Sequence, residues 1–301
     1  MDDAELARRS VVGFAEIIAA LGRWGVDPSA ELRRPGLLGA RVDAMGDNPW
    51  MNAAVVLPGA SPPEDDPDLP FCLWTLAGAA PGRVEFPGVA TPCLGVELDA
   101  PALPAGVGAA EVGTPTLAEV GAINERAYGQ SDGVFRRLVQ GLRPDGRVRT
   151  HGLRVDGAFV SVMLTLTVDD DLSIQYVATE EAYRRRGLAS GLIAAVTASA
   201  RAEGLRSATL QASPDGLPVY LRLGFRRVAT LRGSSGPSRR TLTGRRLSVC
   251  ATRSRGSIGV AGGRASASPQ RVGLGLPVRP GRASRAGARS ARPPATRFSS
   301  G

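Results

Sequence analysis

Residues 147–231 carry the most regular pattern in the chain, and it restricts the fold more than any other feature. Alternating apolar residues predict three consecutive strands up to Thr179, joined by tight turns at Asp156-Gly157 and around Asp170. An apolar stripe at helical spacing follows, and then a strand, a short helix and a last strand. The order of these elements predicts an α/β (α+β) fold.

The segments before residue 147 are more weakly patterned. Thr116 and Glu119 form a capping-box pattern that predicts a helix through Ala127, and a second short helix fits GVFRRLVQGL. Residues 1–110 hold one helix, ELARRSVVGFAEIIAALGRW, and three strand-like runs, AAVVLPG, LPFCLWTLAG and ATPCLGVELDA. We therefore predict an N-terminal α/β region over 1–110, a second domain over 111–231 and a tail over 232–301.

The basic charge of the chain is concentrated in the tail. All 37 basic residues are arginines, and 15 of them lie in 232–301, where there is no acidic residue. The first 231 residues hold the other 22 against 28 acidic residues and are mildly acidic. Because the tail has no sustained apolar periodicity, we predict that it is disordered. Its abrupt start also fits an out-of-frame translation of a GC-rich gene.

The few residues suited to metal binding or nucleophilic catalysis are scattered. Cys72, Cys93 and Cys250 are far apart, and His151 is the only histidine. A zinc site needs about four closely arranged ligands, so we expect no metal and buried, reduced cysteines. The chain has no apolar run of membrane-spanning length and no signal-peptide pattern at its start, so we expect a cytoplasmic protein without a membrane partner.

The segment EEAYRRRGLASGL, Glu180–Leu192, joins the third of the predicted strands to the apolar helix. The start of a helix leaves backbone N–H groups without partners and carries partial positive charge, so it favours a bound phosphate. Gly187 has no Cβ at the point where a ligand would approach, and Ala189 keeps the next inward position small. Arginine side chains can add charge-assisted hydrogen bonds to a phosphate. The segment lacks the GK[ST] triplet of a P-loop and the GxGxxG of a dinucleotide site.

Arg184 to Ala189 fits the pattern R/Q-x-x-G-x-G/A and resembles the cofactor motif of GCN5-related N-acetyltransferases. A second signature of that family, a tyrosine followed by Gly-Phe, is matched by Tyr220, Gly224 and Phe225. The resemblance covers residues 112 to 231. It implies a mixed, mostly antiparallel sheet flanked by helices.

The resemblance also implies a reaction, the direct transfer of an acetyl group from acetyl-CoA to a primary amine. The backbone of Val177, Ala178 and Thr179 would pair with the pantetheine arm and polarise the thioester carbonyl. The pyrophosphate would be held by the six consecutive residues Arg184, Arg185, Arg186, Gly187, Leu188 and Ala189. Tyr220 would protonate the departing thiolate, because a phenol pKa of ~10 lies near that of a thiol. The family often has Asn where this chain has Ser213.

Several alternatives stay open at this point. The same fold could serve as a catalytically silent acyl-CoA-binding or sensing module, and the tail could bind nucleic acid through phosphates. The tail has only one aromatic residue, Phe298, which speaks against nucleic acid as a partner. Residues 1–110 could be a degenerate second copy of the fold without its own cofactor motif, or could shape the acceptor pocket. The acceptor amine is not identified, and the family leaves a homodimer open.

Two groups of residues are expected to have structural rather than catalytic roles. Glu180 and Glu181 could act as general base, but acids before a helix more often complement its dipole. Trp24, Trp50 and Trp74 are expected in the core of the N-terminal region.

Overall fold

The computed structural model describes residues 1–236, apart from 25–28, 65, 67, 100–110, 131 and 144–145. The helices in this part are α1 Asp3–Trp24, α2 Leu117–Tyr128, α3 Val134–Gln140, α4 Leu188–Ala202 and α5 Leu217–Arg222. The strands are β1 Ser29–Arg34, β2 Leu37–Val42, β3 Ala53–Val56, β4 Cys72–Thr75, β5 Val84–Glu97, β6 Glu111–Gly113, β7 Val148–Val155, β8 Ala158–Val168, β9 Asp171–Thr179, β10 Ser207–Gln211 and β11 Arg226–Ser235. Short 3₁₀ turns cover Asp43–Met45 and Glu181–Tyr183.

Local sequence signals account for most element boundaries in the second half. The predicted capping box is present, because Thr116 Oγ1 accepts from the Glu119 amide while the Glu119 carboxylate accepts from the Thr116 amide. Asp156 and Gly157 both have positive φ, as a two-residue hairpin turn between β7 and β8 requires. The predicted order from α2 to β11 is therefore confirmed.

The hairpin β1–β2 was not predicted from the sequence. Its outer strand, SAELRR, is charged rather than alternating, because it lies at the end of the sheet and faces water. Arg33 pairs with Glu16 at 3.1 Å, and Arg34 pairs with Asp66 at 2.6 Å. A charged edge strand escapes a search for apolar alternation.

All the described strands form one sheet in the order β1-β2-β3-β4-β11-β5-β10-β9-β8-β7-β6. Two of the pairings, β3–β4 and β9–β10, are parallel, and the others are antiparallel. The predicted mixed, mostly antiparallel sheet is thus confirmed.

Helices cover both faces of this sheet. One core cluster unites side chains of α1, α2 and α3 with strands from both halves of the chain. The other face carries α4 and α5, whose apolar stripes pack on β9, β10 and the end of β5. Trp74 is fully buried and contacts Phe14 and Trp50, which places these aromatic residues in the first cluster. No helix that the structure describes combines the length and the apolarity of a bilayer crossing.

The described sheet has the same sequence of strand pairings on both sides of the central pair β5–β11, apart from the additional edge strand β6 on one side. Moving outward on either side, the sheet contains a parallel pair and then antiparallel strands. The last strand of each half also lies inside the other half, since β11 sits between β4 and β5, and β5 sits between β11 and β10. This arrangement favours the hypothesis that residues 1–110 are a degenerate copy of the same fold.

The last strand continues past residue 231, where the tail was predicted to begin. Residues 232–235 pair with β4 and β5, and the three residues after Arg232 are small because space is short. A Cβ on Gly233 would lie 3.1 Å from Cys72 Sγ and from a Val89 methyl group, and the Ser234 hydroxyl donates to the Leu73 carbonyl at 3.3 Å. Residues 237–301, with the predicted disorder and Cys250, lie outside the described residues. Cys72 and Cys93 are buried free thiols.

Candidate functional site

The candidate site is the cleft that opens where β9 and β10 stop pairing. Their parallel register runs from Asp171 and Ser207 to Ile174 and Leu210 and then ends, although β9 continues to Thr179. On its other side β9 stays paired with β8 up to Thr179. The last residues of β9, which include Val177, Ala178 and Thr179, therefore present one backbone edge that is not paired with β10.

A bulge turns the backbone of β9 at the mouth of this cleft. Val162 pairs with Ala178 and Leu164 pairs with Gln175, so Tyr176 and Val177 together oppose a single residue of β8. Tyr176 has a φ of 52°, which is rare for a bulky side chain and costs about 1–3 kcal/mol unless neighbouring groups enforce it.

Side chains of α2 and α3 hold the bulge in place. Asn124 is buried and donates through Nδ2 to the carbonyl of Tyr176 at 3.0 Å. The hydroxyl of Tyr128 donates to the carbonyl of Val177 at 3.2 Å. The ring of Tyr176 packs edge-on against Phe135 of α3 at 5.1 Å between centroids. These contacts fix both peptide units of the bulge.

The loop between β9 and α4 forms a row of free backbone donors. Arg185 and Gly187 have φ values of 62° and 78°, which turn successive N–H groups toward one side. The first backbone bond of α4 runs from Gly191 N–H to the Gly187 carbonyl at 2.9 Å. Among the described residues, no acceptor is bound by an N–H group of Arg185 to Ala189. A Cβ on Gly187 would meet no atom within 4 Å, so the approach to these donors is open.

The side chains of the three arginines of the motif make different contacts. Arg184 donates to the carbonyls of Thr179 at 3.1 Å and Ala127 at 2.6 Å, and so ties the end of β9 to the end of α2. Arg186 donates to the Ala182 carbonyl at 2.9 Å, with its guanidinium over the Tyr183 ring. Arg185 is exposed.

Tyr220 lies on α5, in the same apolar cluster as Leu188 and Val177. Its side chain is buried, and its ring meets Phe225 of the second signature edge-on at 6.0 Å. Burial raises the pKa of Tyr220 above that of a free phenol, and the nearby phenol of Tyr128 raises it further. Tyr220 therefore keeps its proton at neutral pH.

Three other residues from the sequence analysis have structural partners. The Glu180 carboxylate accepts from Arg126 at 2.5 Å. The Ser213 hydroxyl accepts from the Gly216 amide at 3.1 Å and thus shapes the start of α5. His151 lies on β7 and contacts the Thr165 hydroxyl at 2.9 Å, and desolvation lowers its pKa to about 4.

Asn124 and Tyr128 were not predicted from the sequence as residues of the site. Both lie in the last turns of α2, about 50 residues before the strand they contact. The one available signal was an asparagine on the apolar side of a helix, since a buried amide must find partners.

Comparisons with known proteins concern the family profile and the fold. Residues 128–236 match the profile of a protein family described as an acetyltransferase (GNAT) domain. A GCN5-related N-acetyltransferase from Kribbella flavida shares 21% identity and a TM-score of 0.53, over 77% of this chain and 95% of that one. A GNAT-family protein from Novosphingobium aromaticivorans shares 20% identity and a TM-score of 0.44, over 68% of this chain and 89% of that one. No curated protein sequence matches the chain.

The likeness to the Kribbella flavida protein concerns the fold. Its coverage of 77% of the chain exceeds what residues 128–236 alone could provide, so it includes part of the N-terminal half. The profile match spans β9, α4, α5 and β11, which carry both sequence motifs and the cleft between them. Residues 128–236 therefore match an acetyltransferase (GNAT) domain, and the fold is similar to that of a GCN5-related N-acetyltransferase.

Proposed function

We propose that this protein transfers the acetyl group of acetyl-CoA directly to a primary amine. The observation that carries the proposal is the row of free N–H groups from Arg185 to Ala189 beside the open end of β9. A helix start of this kind favours a pyrophosphate, and a free strand edge suits the amides of a pantetheine arm. The pyrophosphate and the pantetheine arm are both parts of coenzyme A.

The residues of the motif would then act in two ways. The N–H groups around Gly187 bind the pyrophosphate, while Arg185, which is exposed, adds charge. Arg184 acts by holding the end of β9 against α2, because its guanidinium is already bound to two backbone carbonyls.

The chemical step needs an activated carbonyl and a proton for the leaving sulfur. The amine nitrogen forms the new C–N bond as the C–S bond breaks, the amine loses one proton and the sulfur gains one. Backbone donors at Val177 to Thr179, held by the bulge, polarise the thioester carbonyl. Tyr220 directs its hydroxyl proton toward the departing sulfur.

One observation favours a second candidate, a silent acyl-CoA-binding module. Burial raises the pKa of Tyr220, which makes its phenol a weaker acid than a free tyrosine. A phenol of this kind can hold a sulfur by a hydrogen bond without giving up its proton. The two candidates share the acyl-CoA site and differ in turnover.

Turnover of a panel of primary amines with acetyl-CoA separates the two candidates. We expect at least one amine to be acetylated, and Tyr220→Phe to lower kcat about 10- to 100-fold with little change in the KM for acetyl-CoA. Tyr183→Phe is the matched control, since Tyr183 packs at the edge of the same apolar cluster beneath the Arg186 guanidinium and has no part in the proposed proton transfer, so its kcat should equal that of the wild type. Tight coenzyme A binding without turnover of any amine would identify a binding module.

A further inference from the structure

Helix α1 of the N-terminal half packs against the sheet at the level where β9 and β10 separate. Ser10 is fully buried, and its hydroxyl donates to the carbonyl of Leu210 at 3.1 Å. Leu210 is the last residue of β10 that pairs with β9. The helix therefore contacts the sheet at the apex of the cleft.

Two glutamine side chains cross the gap beyond this apex. Gln175 and Gln211 are the first residues of β9 and β10 after the parallel pairing ends. Gln175 Nε2 donates to Gln211 Oε1 at 3.3 Å, and Gln211 Nε2 donates to the carbonyl and hydroxyl oxygens of Ser10 at 2.8 and 2.9 Å. A continuous chain of hydrogen bonds thus runs from α1 through β10 to β9.

Helix α1 is held firmly at this place. A Cβ on Gly13 would lie 2.4 Å from Ser173 Oγ, so only glycine allows the helix to approach β9 this closely. We call the end where β9 and β10 begin to pair, at Asp171 and Ser207, the closed end of the strand pair. There Arg9 forms an ion pair with Asp170 at 2.6 Å and donates to the Ser207 hydroxyl at 3.0 Å. Ser10, to which the chain of amide hydrogen bonds is attached, cannot shift without breaking these contacts.

The amide chain has a consequence for the width of the cleft. Gln175 is buried and Gln211 is half-buried, so the loss of their hydrogen bonds is costly, and two amides joined end to end hold the strands at one separation. Apolar side chains in their place would pack at several separations.

We propose that Gln211 is a positioning residue that sets the separation of β9 and β10, and that Ser10 of α1 holds it in place. Through Ser10, the N-terminal half would keep the cleft at the width that an acyl-CoA requires. It rests on the proposed function in that the cleft takes acyl-CoA.

Binding of coenzyme A by calorimetry tests the proposal with the full chain. We expect Gln211→Leu to raise the Kd about 3- to 10-fold and to raise the KM for acetyl-CoA more than it lowers kcat. Gln211→Glu keeps the acceptor for Gln175 and loses the donor to Ser10, so it should behave like Gln211→Leu. Ser10→Ala should weaken binding, and its effect should not add to that of Gln211→Leu, because both act through one contact.

A buried amide elsewhere provides the matched control. Asn52 accepts from the Val42 amide at 3.2 Å and donates to the Gly46 carbonyl at 2.7 Å in the N-terminal half. Asn52→Leu should lower the free energy of unfolding without changing the Kd for coenzyme A. If Gln211→Leu binds coenzyme A like the wild type, or if Ser10→Ala and Gln211→Leu are additive, the proposal is wrong.

Amide hydrogen exchange without ligand separates this proposal from the proposed function. Residues 176–179 should exchange faster in Gln211→Leu and Ser10→Ala than in the wild type and in Asn52→Leu. If the wild type binds no coenzyme A, the proposed function fails, and the exchange rates alone decide whether Gln211 positions the strands. Unchanged exchange in Gln211→Leu would then overturn the positioning role.

Discussion

The two parallel strand pairs of the sheet, β3–β4 and β9–β10, occupy matching places and have different properties. Between β9 and β10 the chain forms α4, whereas the described residues between β3 and β4 contain no helix. The closed end of β9–β10 is polar, with Asp171 opposite Ser207, and that of β3–β4 is apolar, with Ala53 opposite Cys72. The pair β9–β10 therefore differs from β3–β4 in the helix start with free backbone donors beside it, on which the proposed cofactor site depends.

The largest expected effect is a loss of affinity for coenzyme A when the backbone at the start of α4 is distorted. Gly187→Val forces a branched side chain into a φ of 78°, which should turn away the N–H groups and raise the Kd for coenzyme A about 100-fold, as for the loss of one or two charge-assisted hydrogen bonds. Gly204→Val is the matched control, because Gly204 at the other end of α4 has a φ of 90° and equally open space. Both variants should lose about 1–2 kcal/mol of stability. Equal affinities in the two would contradict the site.

The bulge of β9 gives the next largest effect. Asn124→Leu removes the donor to the Tyr176 carbonyl, so the strained backbone should relax and kcat should fall about tenfold. Loss of the buried hydrogen bonds should also lower stability by about 1–3 kcal/mol. Asn52→Leu serves again as control, with a comparable loss of stability and an unchanged kcat. A kcat for Asn124→Leu that follows stability alone would exclude a positioning role for Asn124.

The remaining expected effect is on stability and concerns the polar end of the β9–β10 pair where the parallel pairing begins. Burial raises the pKa of Asp171 to about 6, although Ser207 and Thr209 donate to its carboxyl at 2.5 and 2.6 Å. A raised pKa means that the protonated acid stabilises the fold below about pH 4, and this contribution is lost as the pH rises through 6. Asp171→Asn should therefore become more stable relative to the wild type between pH 4 and pH 7, by about 1–3 kcal/mol. Chemical denaturation at both pH values measures this, and a constant difference would refute it.

Local signals in the sequence were enough for most of the second half. The capping box at Thr116, the Asp-Gly turn at residues 156–157 and the apolar stripe of α4 each depend on neighbouring residues, so their elements could be predicted. The same holds for the motif from Arg184 to Ala189, which needs only a strand, a short loop and a helix. The charged strand β1 escaped prediction because it lies at the edge of the sheet.

The tertiary structure decided what the sequence could not show, because those features join distant residues. Arg184 binds backbone carbonyls rather than standing free, since the end of α2 comes to lie beside β9. Asn124 reaches Tyr176 across 52 residues, and Gln211 reaches Ser10 across 201. The sequence by itself determined most elements of the second half and predicted where an anion would bind. Only the folded chain determined what holds the cleft open and the bulge in place, because those contacts join segments that no local pattern connects.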